Sequence, residues 1–312
     1  MGIIFDPVSL SANSGTEMMM RAIDERIDKS LSSYFSIGRG IALFKNHSTK
    51  RILWTHNLPN QRGIPESEER QTLSSPNKWN IIDGIVFVSE WQRNEYIKWY
   101  KFNEEDIART IILRNAIVPF EICKKPTGKI RLIYTSVPER GLETLYHVFE
   151  QIAPNYDIEL EVFSSYKIYG IPNADIVYRN ILDKVQKHPK IKYHGTASNS
   201  IVREAFKRSH IYAYPSSYLE TSCISLIEGM ASGCLCIHPD IGALKETSAG
   251  YTSMYDFQKS KRDQAFAFEE QLITAIENLN QFNSTSQTEY ANIEYSLDKR
   301  VEEWNKYLVS LL

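Results

Sequence analysis

Short apolar runs alternate with stretches of helical periodicity along the whole chain. In the first half, the runs Gly2–Asp6, Gly40–Phe44, Arg51–Thr55, Gly84–Ser89 and Thr110–Leu113 predict strands, while Glu17–Leu31 and Glu90–Tyr100 predict helices. In Glu17–Leu31 the apolar residues Met19, Met20, Ile23, Ile27 and Leu31 recur at helical spacing and form one stripe. Its polar face mixes Arg21, Arg26 and Lys29 with Asp24, Glu25 and Asp28, so the stripe reads as core packing rather than as a membrane-surface helix. The polar segment Cys123–Gly128 carries Pro126 and Gly128 and precedes a new strand, which places a domain boundary after Ile122. Beyond it the alternation resumes with strands Ile130–Tyr134, Ile158–Phe163, Lys190–His194, Ile211–Tyr214 and Cys234–His238. The helices between and after them are Gly141–Gln151, Ile176–Gln186, Ser198–Ser209, Ser222–Ser232 and Asp263–Leu279. Such alternation predicts an α/β protein of two doubly wound parallel sheets, domains 1–122 and 123–292, with a cleft between them and ligands at the carboxyl ends of the strands. After the polar stretch Gln281–Gln287, helical periodicity returns through Leu297, Val301, Trp304 and Leu308 in a last segment, 293–312.

Composition narrows the function classes. Hydrophobic residues make up 42% and charged residues 24% of 312 residues, enough to fill two cores. With 36 basic and 38 acidic side chains the net charge is −2, so no overall field draws the chain to nucleic acid or to an anionic membrane. No apolar run approaches the roughly 20 residues of a membrane span. The N-terminus lacks the regions of a signal peptide, and cytoplasm is the expected compartment. Cys123, Cys223, Cys234 and Cys236 match neither a disulfide framework nor a zinc spacing and read as reduced thiols.

The segment from Tyr214 to Gly233 is the most informative. A strand ends at Tyr214, Pro215 blocks its continuation, and Ser222 is placed to cap a helix that Gly233 stops. The free N–H groups of Cys223 and Ile224 and the positive end of the helix dipole suit a phosphate. Glu220 lies just outside that terminus and Glu228 within the helix. A carboxylate accepts hydrogen bonds from vicinal hydroxyls, so two of them flanking an anion site suit a nucleotide sugar. On spacing alone the pair is equally a set of solvated or capping carboxylates.

The surrounding residues resemble the family-4-type group of retaining GT-B glycosyltransferases, whose donor site carries Glu-x7-Glu, a small-residue helix end and a buried strand. Here these are Glu220 and Glu228, Ala231–Gly233 and Cys234–His238. The likeness extends to Leu113–Asn115, Arg140–Leu142, Ile191–Gly195 and Ile241–Glu246. It implies two Rossmann-like domains and a terminal helix, 293–312, that crosses back to the N-terminal one.

It also implies roles by position. Glu220 resembles the glutamate near the donor sugar and Glu228 the one that binds ribose hydroxyls. Arg140 falls where a basic residue neutralises the diphosphate, stabilising the charge that builds on the leaving group. Tyr193, His194, Thr221, Ser222, Cys223 and Ile224 are expected to line the donor. Family members have a second basic residue earlier in this loop, where this chain has Thr135-Ser136-Val137-Pro138. Lys245, His194 or backbone amides are left as substitutes. Ser11–Glu17 resembles the family's Gly-rich donor loop, with Gly15 and Thr16 near phosphate, although on local grounds it is equally a tight turn. His56 resembles a histidine that touches the donor sugar, against the commoner structural role. Ser89-Glu-Trp-Gln92 resembles a family turn of unassigned role.

No Asp-x-Asp occurs, so no metal is expected, and no cofactor beyond the nucleoside-diphosphate sugar. The implied activity is transfer of a hexose to a hydroxyl acceptor such as a glycan, with retention and without a covalent intermediate. The rivals are a GT-B nucleotide-sugar 2-epimerase and a degenerate nucleotide-sugar-binding scaffold.

Overall fold

The computed structural model describes residues 15–39, 49–59 and 79–312. The expected strands Gly2–Asp6 and Gly40–Phe44, and residues 11–14 of the loop before Gly15, lie outside the described residues. The chain divides into two compact units, one of residues up to Ala116 with Tyr295–Leu312, the other Ile117–Glu294. The break falls at Ala116 rather than after Ile122. Residues 117–122 join the second unit because Phe120 donates its N–H to Asn292 Oδ1 at 2.7 Å and meets the Phe206 ring edge-on.

In the first unit, α1 (Gly15–Arg26) buries Met19, Met20 and Ile23 as its periodicity requires. The stripe continues through Ile27 and Leu31, but the α-helix does not. Asp28 accepts from Ser30 N–H and starts a separate 3₁₀ turn, Lys29–Ser33, because its short side chain bonds the local backbone more readily than it supports a helix interior. The strands β1 (Phe35–Gly38), β2 (Lys50–Trp54), β3 (Gly84–Phe87) and β4 (Thr110–Ile112) form a parallel sheet in that order. β1 was not expected, since Ser36 interrupts its apolar run; its hydroxyl pairs with that of Thr49 at 2.5 Å, which lets it sit fully buried. Helices α2 (Glu90–Tyr100) and α3 (Glu104–Ala108) lie between β3 and β4.

The second unit has a six-stranded, all-parallel sheet. Its strands are β5 (Ile130–Thr135), β6 (Ile158–Phe163), β7 (Ile191–Tyr193), β8 (Ile211–Ala213), β9 (Leu235–Pro239) and β10 (Ser253–Tyr255), in the order β10-β9-β8-β5-β6-β7. The crossovers run through α4 (Leu142–Ile152), α5 (Arg179–Lys187), α6 (Asn199–Arg208), α7 (Ile224–Ala231) and α8 (Leu244–Ser248). After β10 come α9 (Lys261–Glu277) and α10 (Thr285–Glu294). The expected helix Ile176–Gln186 is a 3₁₀ segment, Pro172–Tyr178, running into α5, because Pro172 and the absence of a side-chain cap leave its start irregular. β5 lies between β6 and β8, so the chain leaves β5 in one direction and returns on the other side, the switch point at which doubly wound sheets open a ligand crevice.

The last expected helix is α11 (Leu297–Ser310), separated from α10. Leu297, Trp304 and Leu308 are buried with Met19, Met20, Ile23 and Trp54, so this helix completes the core of the first unit. Trp304 meets Trp54 edge-on at 4.8 Å.

Candidate functional site

The loops after β5 and β8 leave the sheet side by side, since Leu132 and Ile133 pair with Ile211 and Tyr212. After β5, Tyr134 donates its hydroxyl to Val137 O at 2.8 Å and closes the loop beneath a 3₁₀ turn, Pro138–Arg140. Gly141 then turns the chain into α4 with φ +104°, and a Cβ there would stand 2.3 Å from Pro215 O of the neighbouring loop. After β8, Tyr218 N–H donates to Ser216 Oγ at 3.0 Å. Ser222 does not cap α7. The N-cap is Cys223, still extended at φ −106° and ψ 97° and making no side-chain capping bond, so Ser222 lies one residue too early to reach the first amides. Gly242, at φ +61°, would put a Cβ within 2.7 Å of the Glu220 backbone nitrogen, and Ala243 N–H donates to Glu220 O at 2.8 Å. Glu220 is thus gripped through its main chain.

Its side chain is also fixed. Arg140 Nη1 donates to Glu220 Oε1 at 2.9 Å and Oε2 at 3.2 Å, and the buried Tyr214 hydroxyl donates to Oε1 at 2.5 Å. The Arg140 guanidinium lies 4.3 Å from the centre of the Tyr218 ring. Burial works against the Arg140 charge, but Glu220 and then Tyr169, Tyr214 and Tyr218 outweigh it and hold the guanidinium well above its ordinary range. Among the described residues Arg140 Nε is buried without an acceptor, and Nη2 donates to none. The cation is therefore permanent, rigid and only partly used.

Glu228 does not share that cation. Arg203 Nη1 and Asn199 Nδ2, both on α6, donate to its Oε1 at 3.4 and 3.5 Å. Burial raises the Glu228 carboxyl above the ordinary range, with Arg203 and Asn199 opposing. Arg203 and Asn199 carried no sequence signal, since α6 reads as an ordinary amphipathic helix.

Of the other expected donor residues, Tyr193 donates its hydroxyl to Ser164 O at 2.8 Å. His194 stacks on Phe163 at 4.1 Å and bonds Glu161 Oε2 through Nε2 at 2.8 Å. Glu161 also takes two bonds from Arg208, at 2.7 and 2.5 Å, so this imidazole is held against the Glu161–Arg208 pair. Lys245 stands exposed on α8. Thr221, Ser222 and Ile224 are half-buried at the start of α7, and burial pushes the Cys223 thiol up to about 11, keeping it neutral.

Gly15, Thr16 and His56 belong to the first unit. Gly15 and Thr16 open α1, both half-buried. His56 follows β2, buried, its ring 4.8 Å from that of Trp54. The turn Ser89–Gln92 supports it from below. Ser89 Oγ caps α2 by accepting from Gln92 N–H at 3.1 Å, and Gln92 Nε2 donates to Thr55 O and Asn57 O at 3.2 and 2.9 Å, on either side of His56.

Burial, aided by Arg39, holds His56 at about 3, and burial holds His238 of β9 at about 4, both against an ordinary 6.5. His238 Nε2 contacts Thr252 Oγ1 at 2.8 Å and Nδ1 faces Pro239 O at 2.9 Å; one nitrogen donating and the other accepting suits the neutral ring. Both folded values lie below the unfolded one. The unfolded chain therefore binds more protons from pH 6.5 downward, and stability held above pH 6.5 is lost as pH falls toward 4. Each histidine is expected to remove about 2 kcal/mol between pH 6.5 and 5. Urea midpoints at pH 7 and 5 check this. His238→Asn should flatten the slope relative to the unaltered chain, and an unchanged slope would contradict the assignment.

No curated protein matches the chain in sequence. Solved structures match its fold across nearly its full length. A glycosyltransferase from Rickettsia africae is similar at a TM-score of 0.65 and 14% identity, covering 96% of this chain and 82% of its own. The Anabaena HepE protein, in complex with UDP and glucose, gives 0.66 and 10%, covering 95% and 81%. The pneumococcal O-GlcNAc transferase GtfA, in complex with UDP and GlcNAc, gives 0.65 and 13%, covering 95% of this chain and 60% of its own. At such identities the likeness establishes the fold, α/β of the GT-B class with two Rossmann-like units. Residues 123–286, which contain Arg140, Glu220, Glu228 and every strand of the second sheet, match the profile described as Glycosyl transferases group 1, and the chain belongs to that family.

Proposed function

We propose that the protein is a retaining, metal-independent hexosyltransferase that moves a hexose from a nucleoside-diphosphate sugar to a hydroxyl of a glycan or similar acceptor. The observation that carries this reading is the Arg140–Glu220 pair at the switch point, beside a helix start that no side chain caps. Arg140 Nη2 is the donor left for the diphosphate, together with the amides that open α7. Glu220, clamped by Arg140 and Tyr214, orients the hexose hydroxyls rather than attacking the anomeric carbon. Glu228 accepts from the ribose hydroxyls. Tyr193, His194, Thr221, Ser222, Cys223 and Ile224 form the walls. The anomeric carbon–oxygen bond to the diphosphate breaks while the acceptor oxygen bonds the same face. The acceptor proton passes to the departing phosphate oxygen, and nucleoside diphosphate leaves. A cation fixed beside that leaving oxygen lowers the barrier because the charge grows in the transition state. No cofactor or metal takes part, and the protein acts in the cytoplasm; among the described residues no helix is long and apolar enough to cross a membrane.

The ligands named with HepE and GtfA put UDP-glucose and UDP-GlcNAc first in a donor panel. Release of nucleoside diphosphate is expected only with an acceptor present, unchanged by EDTA, with NMR of the product showing the donor's anomeric configuration. Release without acceptor would favour the epimerase reading. Tight nucleotide binding without turnover on any acceptor would favour the scaffold, and loss of activity in EDTA would refute metal independence.

A further inference from the structure

Both donors to Glu228 converge on one of its two oxygens. Arg203 Nη1 and Asn199 Nδ2 reach Oε1, and Oε2 takes no hydrogen bond from the described residues. Arg203 and Asn199 are one helical turn apart on α6, so they approach from the same side. Arg203 is itself held on two further sides. Its Nη2 donates to Pro119 O at 3.1 Å, and its guanidinium lies 3.7 Å from the centre of the Phe120 ring. Phe120 is fixed in turn through Asn292, which also donates to Ala231 O at the end of α7 at 3.2 Å. The Arg203 side chain is 17% exposed and that of Glu228 8%. A planar guanidinium pinned by a carbonyl and a ring presents a single geometry to the carboxylate it meets, which a lysine cannot do.

We infer that Arg203 is a positioning residue for nucleotide recognition, fixing the Glu228 carboxylate so that Oε2 is kept to accept from the vicinal hydroxyls of the donor's ribose. The inference rests on the reading of Glu228 given under Proposed function. Because Glu228 is already oriented, its side-chain freedom is not lost again when the nucleotide binds, and the hydrogen bonds it makes are expressed as affinity. The effect is selective. It acts on the ribose hydroxyls and leaves the contribution of the diphosphate at Arg140 unchanged.

The test compares UDP, GDP and ADP, each with its 2′,3′-dideoxy counterpart, by calorimetric titration of the whole chain. The unaltered chain is expected to prefer the ribonucleotide it binds best by about tenfold or more, the worth of hydrogen bonds to a charged acceptor. Glu228→Gln and Arg203→Met should each shrink that preference to about threefold or less, the double substitution adding little, while dideoxy affinities stay unchanged. If the unaltered chain binds ribo and dideoxy forms alike, or binds none of them, the Glu228 reading falls and the inference falls with it. If Glu228→Gln loses the preference while Arg203→Met keeps it, the inference alone is overturned. Should Arg203→Met not fold, Arg203→Lys, which cannot reach Pro119 and Glu228 together, carries the test. Weakening of the ribonucleotide alone is then expected, and equal weakening of both forms overturns the proposal.

Discussion

Replacing Arg140 with alanine is expected to lower kcat by about 10²–10³, the usual cost of removing a preorganised group that faces charge developing on a leaving group. The same change strips Glu220 of its cation. The Glu220 side chain is 4% exposed and the Arg140 side chain 21%. Some solvent screening therefore applies, and the loss of stability should be about 3 kcal/mol, the low end for breaking a buried pair from one side. Tyr214 would still donate to Glu220 and limit the damage. Arg140→Lys separates the two effects. A lysine restores a charge beside Glu220 and hence most of the stability, but it loses both the forked geometry and the contact with the Tyr218 ring, so its turnover should stay low. Urea unfolding and nucleoside-diphosphate release measure the two quantities. Full turnover in a folded Arg140→Ala chain would remove Arg140 from the reaction.

Gly141→Ala should have the second-largest effect, and mostly on structure. Gly141 sits at φ +104°, where an added Cβ meets Pro215 O at 2.3 Å and Pro215 C at 2.7 Å. Both are backbone atoms and cannot swing aside. The loops after β5 and β8 would have to part, carrying Arg140 away from Glu220. Gly128 is a built-in control, since it has a similar φ of +98° with nothing within 4 Å of its Cβ position. Gly128→Ala should cost about 1 kcal/mol for backbone strain. Gly141→Ala should cost about 2 kcal/mol more, as overpacking does in a closed site, with a matching loss of turnover. Equal unfolding midpoints for the two variants would show that the close approach is not what sets the loop positions.

Some features were legible because they are local. Alternating strand and helix patterns marked the α/β class, and Met19, Met20 and Ile23 marked the buried face of α1. Trp304 and Leu308 marked α11 as core, and the family likeness assigned that helix to the N-terminal unit, whose core it completes. The Glu220-to-Glu228 spacing and the Arg140-Gly141 step pointed to the switch-point loops. Other elements were hidden by equally local causes. Ser36 masked β1, and Asp28 ended α1 earlier than the apolar stripe did. Ser222 looked like a cap because serine usually is one, while the backbone stays extended for one residue more.

Periodicity reports only on neighbours along the chain, so the sequence by itself determined most of the elements and their buried faces, and singled out Arg140, Glu220 and Glu228 as candidates for a nucleotide-sugar site. Only the tertiary structure decided the partnerships. Arg140 reaches Glu220 across 80 residues because β5 lies beside β8, and Glu228 takes Arg203 rather than Arg140 because α6 packs against α7. Strand order and helix packing are properties of the whole buried sheet, and no single segment carries them.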